Sequence, residues 1–344
     1  MSRFIQLVKY HSAMFSDMTV ISNLLKSQFR SLPEPADDFS GKTVIVTGAN
    51  SGLGLEAAWH FVRLGAAKVI LACRSLEKGE VARQDIESST GRKGVVEVWT
   101  VDLTSFDSVK EFCRRAHRLE RLDVVVLNAG VAVPEFVAAD GGYESQIAVN
   151  VISTFLMALM LLPRLRETAV RFNVVPHVVL VSSDGHHFAR FPERNQPNIF
   201  AAFKDATTMS DDRYNTSKLL VTMIARELAT HLASSPSNPV VLNIVTPGFC
   251  KSQIFRNLPF PGKLGISAVL AVIGRTTEVG SRTLVSAAAA GRETHGKYLD
   301  SCVVTEPSAF VRSEEGMEVQ SRVYAELMEV LEGIEPGVTR NILG

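Results

Sequence analysis

The sequence predicts an α/β protein with a doubly wound parallel sheet in a single domain. Short runs of apolar, β-branched residues alternate along the chain with longer stretches of helical periodicity. The runs are almost continuously apolar, as expected when helices cover both faces of a sheet. The helical stretches between them are long enough to serve as the crossovers that parallel strands need.

The elements follow one another in a regular order. The predicted strands are Thr43–Val46, Val69–Ala72, Val95–Val101, Val124–Leu127, Val178–Val181, Val240–Val245 and a short one near Lys297–Leu299. The predicted helices are Leu53–Leu64, Leu76–Ser88, Ser105–Leu119, Tyr143–Leu162, Arg213–Leu232, Glu278–Ala290 and Glu315–Leu331.

Two segments extend the predicted domain, which spans residues 39–305. Residues 1–38 form an N-terminal arm that ends in a turn-rich stretch with Pro33 and Pro35. Residues 306–344 form a C-terminal helical extension, which begins in a loop with Pro307. We detect no internal repeat and no second core.

Composition argues against several protein classes. Lysine plus arginine and aspartate plus glutamate both number 36, without long runs of one sign, so no nucleic-acid partner is expected. The four cysteines are too widely spaced for a zinc ribbon, and they predict free thiols in a reducing, cytoplasmic compartment. No stretch reaches the roughly 18 apolar residues of a membrane-spanning helix, and Ile266–Ile273 comes closest. The basic leader faintly resembles a transit peptide, but a short helix packed on the domain explains the same residues.

A glycine-rich turn follows the first strand directly and opens the first long helix. It contains Gly48, Asn50, Ser51, Gly52, Leu53 and Gly54. Glycines permit a tight turn and let a pyrophosphate approach the backbone, and the helix N-terminus offers it unpaired N–H groups. The turn therefore predicts a dinucleotide site in a Rossmann-like fold, although close packing alone would also explain these glycines.

The end of the second strand bears on which nucleotide binds. It carries Arg74 and no carboxylate of the kind that binds the ribose 2′-hydroxyl of NAD. Arg74 and Lys78 lie four residues apart at a helix start, so both can face one anion. This favours NADP(H), although a solvated helix start would explain the same two residues. Asp102, after the third strand, either accepts a hydrogen bond from the adenine amino group or caps the helix near Ser105.

Tyr214 and Lys218 lie four residues apart in the helix after the fifth strand, so they share one face. A lysine ammonium beside a tyrosine hydroxyl favours the phenolate and lowers the tyrosine pKa. Tyr214 is therefore a candidate general acid or base, at the sheet edge where ligands of such folds bind.

With these motifs the chain resembles a short-chain dehydrogenase/reductase between Gly41 and Tyr298. The matching pieces are Thr47-Gly48-Ala49-Asn50-Ser51-Gly52-Leu53-Gly54, Asn128-Ala129-Gly130, Asn150, Ser182-Ser183, Tyr214 with Lys218, and Pro247-Gly248. Within the family it is similar to the retinol-dehydrogenase-like and WW-domain-oxidoreductase-like branch. It most resembles fungal members attached to secondary-metabolite pathways, which share a leader like Ser27-Gln28-Phe29.

The resemblance implies a role for each matched residue. Tyr214 would transfer the proton, Ser183 would hydrogen-bond the substrate oxygen, Lys218 would hold the nicotinamide ribose and lower the tyrosine pKa, and Asn150 would position a water in the proton relay. Asn128 would brace the cofactor, and Ser252 would lie near the nicotinamide amide or the pyrophosphate. Two structural alternatives remain: Ser182 as a strand-end hydroxyl bonded to backbone, and Asn150 as a buried asparagine bonded to a neighbouring carbonyl. No metal is required.

Between Ser183 and Tyr214 the chain is much longer than in compact members of the family. The insertion carries His186, His187, Phe188, Phe191, Phe200 and Phe203, which we expect to shape an apolar substrate pocket, with a packed loop as the alternative. The two histidines lack the further ligands that a metal site needs. Farther on, residues 258–273 predict a buried lid helix, or else a peripheral segment that touches a membrane.

We therefore predict an NADP-dependent oxidoreductase that interconverts an alcohol and a ketone or aldehyde on a small, largely apolar metabolite. The alternative enzyme is a redox-neutral family member, such as a dehydratase or an epimerase. The non-enzymatic alternative is an NADP-binding sensor or scaffold, which would have no need of Ser183, Tyr214 and Lys218 together.

Overall fold

The structure, a computed structural model, describes residues 20–235, 238–254 and 270–343. Its strands form one sheet in the order β3-β2-β1-β4-β5-β6-β7-β8. They are β1 Thr43–Thr47, β2 Lys68–Cys73, β3 Val96–Thr100, β4 Val124–Leu127, β5 His177–Val181, β6 Val241–Thr246, β7 Tyr298–Asp300 and β8 Val303–Thr305. Neighbouring strands are parallel throughout except for β7 and β8, which are antiparallel. The predicted doubly wound sheet is confirmed.

The main helices cover both faces of this sheet. They are α1 (20–28), α2 Gly52–Arg63, α3 Leu76–Thr90, α4 Phe106–Ala116, α5 Ser145–Phe172, α6 Arg213–Ala233, α7 Thr277–Ala289 and α8 Glu314–Ile334. Helices α4, α5, α6 and α8 contribute to the core on one face, and α2, α3 and α7 to the core on the other.

Alternate strand residues point into these two cores. In β1, Ile45 belongs to the first core, whereas Val44 and Val46 belong to the second. All three side chains are fully buried. This explains why the strands are continuously apolar in sequence rather than alternating.

Helix α5 differs from the prediction in two ways. It continues well past the expected end at Leu162, with Pro163 inside it, because Leu161, Leu162 and Leu165 are all buried in the core and hold the chain in place. It is also long and apolar enough to span a bilayer, contrary to the expectation that no stretch would be. Its apolar window is entirely buried within the protein, which is the position of an interior helix.

The C-terminal extension packs on the same core as α5 and α6. Val323, Leu327 and Leu331 of α8 are buried there. Strand β8 was not predicted, because it is only three residues long and its two valines are exposed. The proposed division of the chain near residue 305 stays a prediction.

Candidate active site

A cavity of about 1710 Å³ lies along the carboxyl edge of the sheet. Most of the predicted site residues line it, namely Gly48, Asn50, Ser51, Gly52, Leu53, Arg74, Lys78, Asp102, Asn128, Ser183, Tyr214, Lys218 and Ser252. Gly54 and Asn150 do not line it but lie directly behind its wall, as the contacts described below show. The sheet edge thus brings together residues that are far apart in sequence.

The conformation of the turn favours glycine at Gly48, Gly52 and Gly54. Gly48 and Gly52 have φ values of +66° and +60°, in the left-handed region. A Cβ on Gly54 would lie 2.6 Å from both the carbonyl oxygen of Gly48 and Nδ2 of Asn128. Only glycine allows helix α2 to approach the strand end this closely.

Helix α2 leaves its N-terminus available to an anion. Ser51 is the N-cap residue, but its side chain makes no capping hydrogen bond, and the first turn contains no acidic residue. A helix start of this kind presents free N–H groups and the positive end of the helix dipole. The residues present therefore fit the pyrophosphate of a dinucleotide.

Thr47 and Asn128 hold the turn in place. Thr47 Oγ1 accepts hydrogen bonds from the backbone N–H groups of Asn128 and Ala129, each at 2.9 Å. Asn128 Nδ2 donates to the Thr47 carbonyl at 2.9 Å. Asn128 therefore braces the turn, and Thr47 is a partner whose role the sequence analysis did not assign.

Arg74 and Lys78 are exposed at the far end of the cavity. Within the described ranges neither side chain forms an ion pair, although Glu77 lies between them in sequence. Arg74 precedes the N-cap Ser75, so only Lys78 is in helix α3. The backbone N–H of Lys78 is capped by Ser75 Oγ at 3.2 Å, which fixes the helix start. The two cations are thus free to turn toward a phosphate.

Asp102 does not cap helix α4. Its Oδ1 accepts from the backbone N–H and the hydroxyl of Thr104, at 2.9 and 2.7 Å. The helix cap is Ser105, whose Oγ accepts from the Ser108 N–H. The capping alternative is therefore wrong: the helix is capped by Ser105, three residues after Asp102, because a tight turn comes between the strand and the helix. The contact with adenine stays a prediction.

Ser183 and Tyr214 meet at the end of β5. Their side chains are hydrogen-bonded to one another. Ser183 Oγ also accepts from the Gly185 N–H at 3.1 Å, where a short helical turn begins. Burial raises the pKa of Tyr214 to about 12, with the nearby Asp184 carboxylate adding to the rise and the Ser183 hydrogen bond opposing it.

Lys218 lies on the tyrosine's side of α6, as predicted, but its ammonium is bound elsewhere. Nζ donates to the Val181 carbonyl at 2.8 Å and lies 5.9 Å from the centroid of the Tyr214 ring. Burial lowers the lysine pKa to about 8. In this arrangement burial has the largest effect on the tyrosine pKa, and the expectation that Lys218 lowers that pKa stays a prediction.

Asn150 lies in a π-helical turn at the start of α5. Its Oδ1 accepts from the Val131 N–H at 2.9 Å, and its Nδ2 donates to the Val131 carbonyl and to Ser217 Oγ, at 3.0 and 2.9 Å. A Cβ on Gly130 would lie 3.2 Å from that Oδ1. The buried-asparagine alternative is thus what the structure shows, and the role in positioning a water stays a prediction.

Ser182 and Ser252 differ in what surrounds them. Ser182 Oγ donates to the Lys218 carbonyl at 3.0 Å and lies 2.8 Å from Thr222 Oγ1, so it joins strand to helix, as the backbone-bonded alternative predicted. Ser252 is partly exposed at the cavity wall, where its backbone N–H donates to the Cys250 carbonyl at 2.7 Å.

The insertion lines the cavity less than expected. Among its aromatic residues, Phe188 lines the cavity, but Phe191, Phe200 and Phe203 are fully buried in the core. Helix α8 anchors this region, since Glu326 accepts from the Ile199 N–H at 2.6 Å. The expectation of an aromatic pocket is therefore wrong for all but Phe188. Of the predicted lid, residues 258–269 lie outside the described ranges.

The N-terminal arm is part of the cavity wall, which the sequence analysis did not predict. Gln28 Nε2 donates to the carbonyls of Phe249 and Ile273, at 2.8 and 2.7 Å, and its Oε1 accepts from the Phe249 N–H. Buried Arg275 adds bonds to the carbonyls of Ser27 and Pro247. The sequence feature that could have indicated this contact is Ser27-Gln28-Phe29, which belongs to the leader that resembles the family.

Comparison with known proteins agrees with these motifs. Residues 42–187 match the short chain dehydrogenase family. The chain is 44% identical over 325 residues to the short chain dehydrogenase/reductase dmxR8 of Cryptosporiopsis sp., covering 92% of this chain and 99% of that protein. It is 48% identical over 287 residues to the short chain dehydrogenase atnD of Emericella nidulans, covering 82% and 91%.

Solved structures share the fold at lower identity. The NADPH-bound carbonyl reductase from chicken fatty liver superposes with a TM-score of 0.56 at 18% identity, over 78% of this chain and 100% of that one. A short-chain type dehydrogenase/reductase from Mycobacterium marinum gives a TM-score of 0.57 at 21% identity, over 76% and 94%. With fungal relatives matching nearly the whole chain, the protein belongs to the short-chain dehydrogenase/reductase family of nucleotide-binding oxidoreductases.

Proposed function

We propose that the protein is an NADP-dependent oxidoreductase that interconverts an alcohol and a ketone or aldehyde. The observation that carries this proposal is the hydrogen-bonded pair of Ser183 and Tyr214 in the same cavity as the glycine turn. Two hydroxyls held together can bind one substrate oxygen, and a dinucleotide seated on the turn would lie in the same cavity.

The cofactor would be held by groups along the whole cavity. The N-terminus of α2 would bind the pyrophosphate, and the resemblance assigns the nicotinamide ribose to Lys218. Arg74 and Lys78 support a preference for NADP, because both cations lack a described ion pair and could bind a 2′-phosphate. A bound nicotinamide would supply the hydride acceptor for oxidation of the alcohol carbon, or the hydride donor for reduction of the carbonyl carbon.

Proton transfer would fall to Tyr214. Its pKa, raised to about 12, keeps the hydroxyl protonated at neutral pH, so it can donate a proton to the oxygen of a carbonyl as that oxygen gains charge. In the reverse direction Tyr214 would first have to lose its own proton, and the phenolate oxygen would then take the proton of the alcohol. Ser183 would donate a hydrogen bond from its hydroxyl to the substrate oxygen and hold that oxygen beside Tyr214.

Apolar residues in the cavity wall support a small, largely apolar substrate. Val133, Pro134, Phe188 and Ile254 line the cavity, together with Leu24 of the N-terminal arm. Since the relatives are fungal short chain dehydrogenases, we place the substrate among the intermediates of fungal secondary metabolism.

The test is a pair of fluorescence titrations of the purified protein with NADPH and NADH, followed by a screen of apolar carbonyl compounds. Tight binding of NADPH, weak binding of NADH and loss of nicotinamide absorbance with a carbonyl would support the proposal. Product formed without any change in nicotinamide absorbance would instead favour redox-neutral chemistry. If neither nucleotide binds, the proposal is wrong.

A further inference from the structure

We propose that His186 is a positioning residue, which ties the hydroxyl pair of the active site to the C-terminal extension. This inference rests on the proposed function. His186 has no direct place in proton transfer, and it would act through the backbone of Ser183.

Both ring nitrogens of His186 are hydrogen-bonded, each to a different part of the chain. Nδ1 lies 2.7 Å from the carbonyl oxygen of Ser183. The backbone N–H of Ser308 donates to Nε2 at 3.0 Å. Because a backbone N–H can only donate, Nε2 must carry no proton, and the ring proton must be on Nδ1, where it donates to the Ser183 carbonyl. The geometry therefore defines one neutral tautomer.

The surroundings of the ring keep it neutral and in place. Only 1% of the residue's surface is exposed, and its ring centroid lies 5.0 Å from that of Tyr298 and 4.1 Å from that of His187. Burial, aided by the charge of His187, lowers the pKa of His186 to about 3. The ring thus acts as a fixed bridge between two segments that are 122 positions apart in sequence.

The Ser183 carbonyl, which accepts the hydrogen bond from His186, belongs to the residue that carries one of the two active-site hydroxyls. It accepts from both the side chain and the backbone N–H of His186, so the peptide plane after Ser183 is fixed. That plane restrains the backbone at Ser183, and the hydroxyl that meets Tyr214 projects from the same residue. A misplacement of about 1 Å in such a pair can cost about 100-fold in rate.

The side chain can be tested with a pair of substitutions. His186→Phe keeps a planar ring but removes both hydrogen bonds, and we expect it to lower kcat about tenfold or more while the NADPH dissociation constant changes less than about twofold. In His186→Asn the amide nitrogen can take the place of Nδ1, and we expect recovery of most of the lost kcat. Equal kcat in wild type and His186→Phe would overturn the proposal, as would equal losses in both variants.

Position 308 offers a test that leaves the histidine intact. Ser308 has φ of −52°, which proline can adopt. Ser308→Pro removes the N–H donor and places the proline Cδ on the side of Nε2, which lies 3.0 Å from the backbone nitrogen, so the His186 ring must also shift. Both Ser308→Pro and Ser308→Ala lose the hydroxyl that caps the Val311 N–H at 3.4 Å, but alanine keeps the N–H. We expect kcat of the proline variant to be at least about fivefold below that of the alanine variant. Equal values would contradict the inference even if His186→Phe fails to fold.

The ring tautomer provides a readout that does not need turnover. In ¹⁵N NMR spectra of the imidazole nitrogens, assigned by comparison with His186→Asn, we expect a protonated Nδ1 and a bare Nε2 near neutral pH. The opposite tautomer, or a charged ring, would contradict the proposal that His186 links the Ser183 carbonyl to the Ser308 N–H. If the tautomer is as expected but wild type reduces no carbonyl, the proposed function fails, and the inference that rests on it falls with it.

Discussion

Lys218 donates from Nζ to the carbonyl of Val181 at 2.8 Å, so the ammonium is bound to the last residue of β5. That strand end leads directly into Ser182 and Ser183, and the ammonium held there lies 5.9 Å from the centroid of the Tyr214 ring. Lys218 therefore helps to hold the strand against helix α6, in addition to any contact with a nucleotide.

This arrangement predicts the alkaline limb of the pH profile. The pKa of Lys218 is lowered to about 8, so above that pH the side chain loses its proton and its charge, whereas Tyr214, with a pKa of about 12, stays protonated. For reduction of a carbonyl, kcat/KM should fall as pH rises through about 8. In Lys218→Arg the charge persists, and the limb should move to higher pH even if the overall rate is lower. If kcat/KM falls at the same pH in both proteins, the group that titrates there is not Lys218.

Tyr214→Phe tests the proton donor directly. The ring remains, and only the hydroxyl that meets Ser183 is lost. We expect turnover to fall about 10³-fold, as for the loss of a general acid, while NADPH binding stays within about threefold of wild type. Ser182→Ala is a useful comparison, because that hydroxyl bonds Lys218 and Thr222 within the interior and should affect stability more than rate. Retained turnover in Tyr214→Phe would remove the tyrosine from its proposed role.

The sequence predicted best what depends on local chain geometry. The first strand and helix, with the glycines between them, were found because Gly48 and Gly52 need left-handed φ values and Gly54 a close approach. The order of the later motifs then predicted that Ser183 and Tyr214 lie at one sheet edge, where they are hydrogen-bonded.

Contacts between distant segments were not predictable in the same way. The partner of Lys218 is a carbonyl that the fold brings to it, and no local pattern marks Val181. The burial of Phe200 depends on Glu326 of α8, which accepts from its backbone N–H at 3.2 Å. Contacts with the C-terminal extension thus bury part of the insertion between Ser183 and Tyr214 in the core.

Arg74 is expected to discriminate between the two nucleotides. If it binds a 2′-phosphate, Arg74→Ala should weaken NADPH binding about tenfold or more, since a hydrogen bond to a charged group contributes about 1.5–3 kcal/mol. NADH lacks that phosphate, so its affinity should not change. Lys93→Ala removes one exposed positive charge outside the cavity and serves as the control in the same titrations. Equal losses for NADPH and NADH would contradict the assignment.

The buried ion pair beside the active site is expected to matter for stability. Arg213 Nη1 lies 2.9 Å from Glu193 Oε1, and both side chains are almost completely buried. Glu193→Leu leaves the guanidinium without this partner and should lower the free energy of unfolding by about 3 kcal/mol. The double variant Glu193→Leu/Arg213→Met leaves no unpaired guanidinium, but it also removes the cation that lies 4.0 Å from the buried Glu144 carboxylate. Burial raises the pKa of Glu144, so that carboxyl can take up a proton, and the double variant should be more stable than Glu193→Leu alone in urea unfolding. A double variant that is less stable would mean that Arg213 stabilises the fold through its buried carboxylate partners.

A single methyl group at Gly54 should damage the nucleotide site. The added Cβ would lie 2.6 Å from the Gly48 carbonyl oxygen and from Asn128 Nδ2, and the backbone atom cannot move without opening the turn. We expect Gly54→Ala to weaken NADPH binding about tenfold or more and to lower the melting temperature. Gly333→Ala is the matched control, because it adds the same methyl group to a helical glycine with no atom within 4 Å. That variant should bind NADPH normally and gain up to about 1 kcal/mol in stability. Normal NADPH binding by Gly54→Ala would show that the turn does not hold the pyrophosphate.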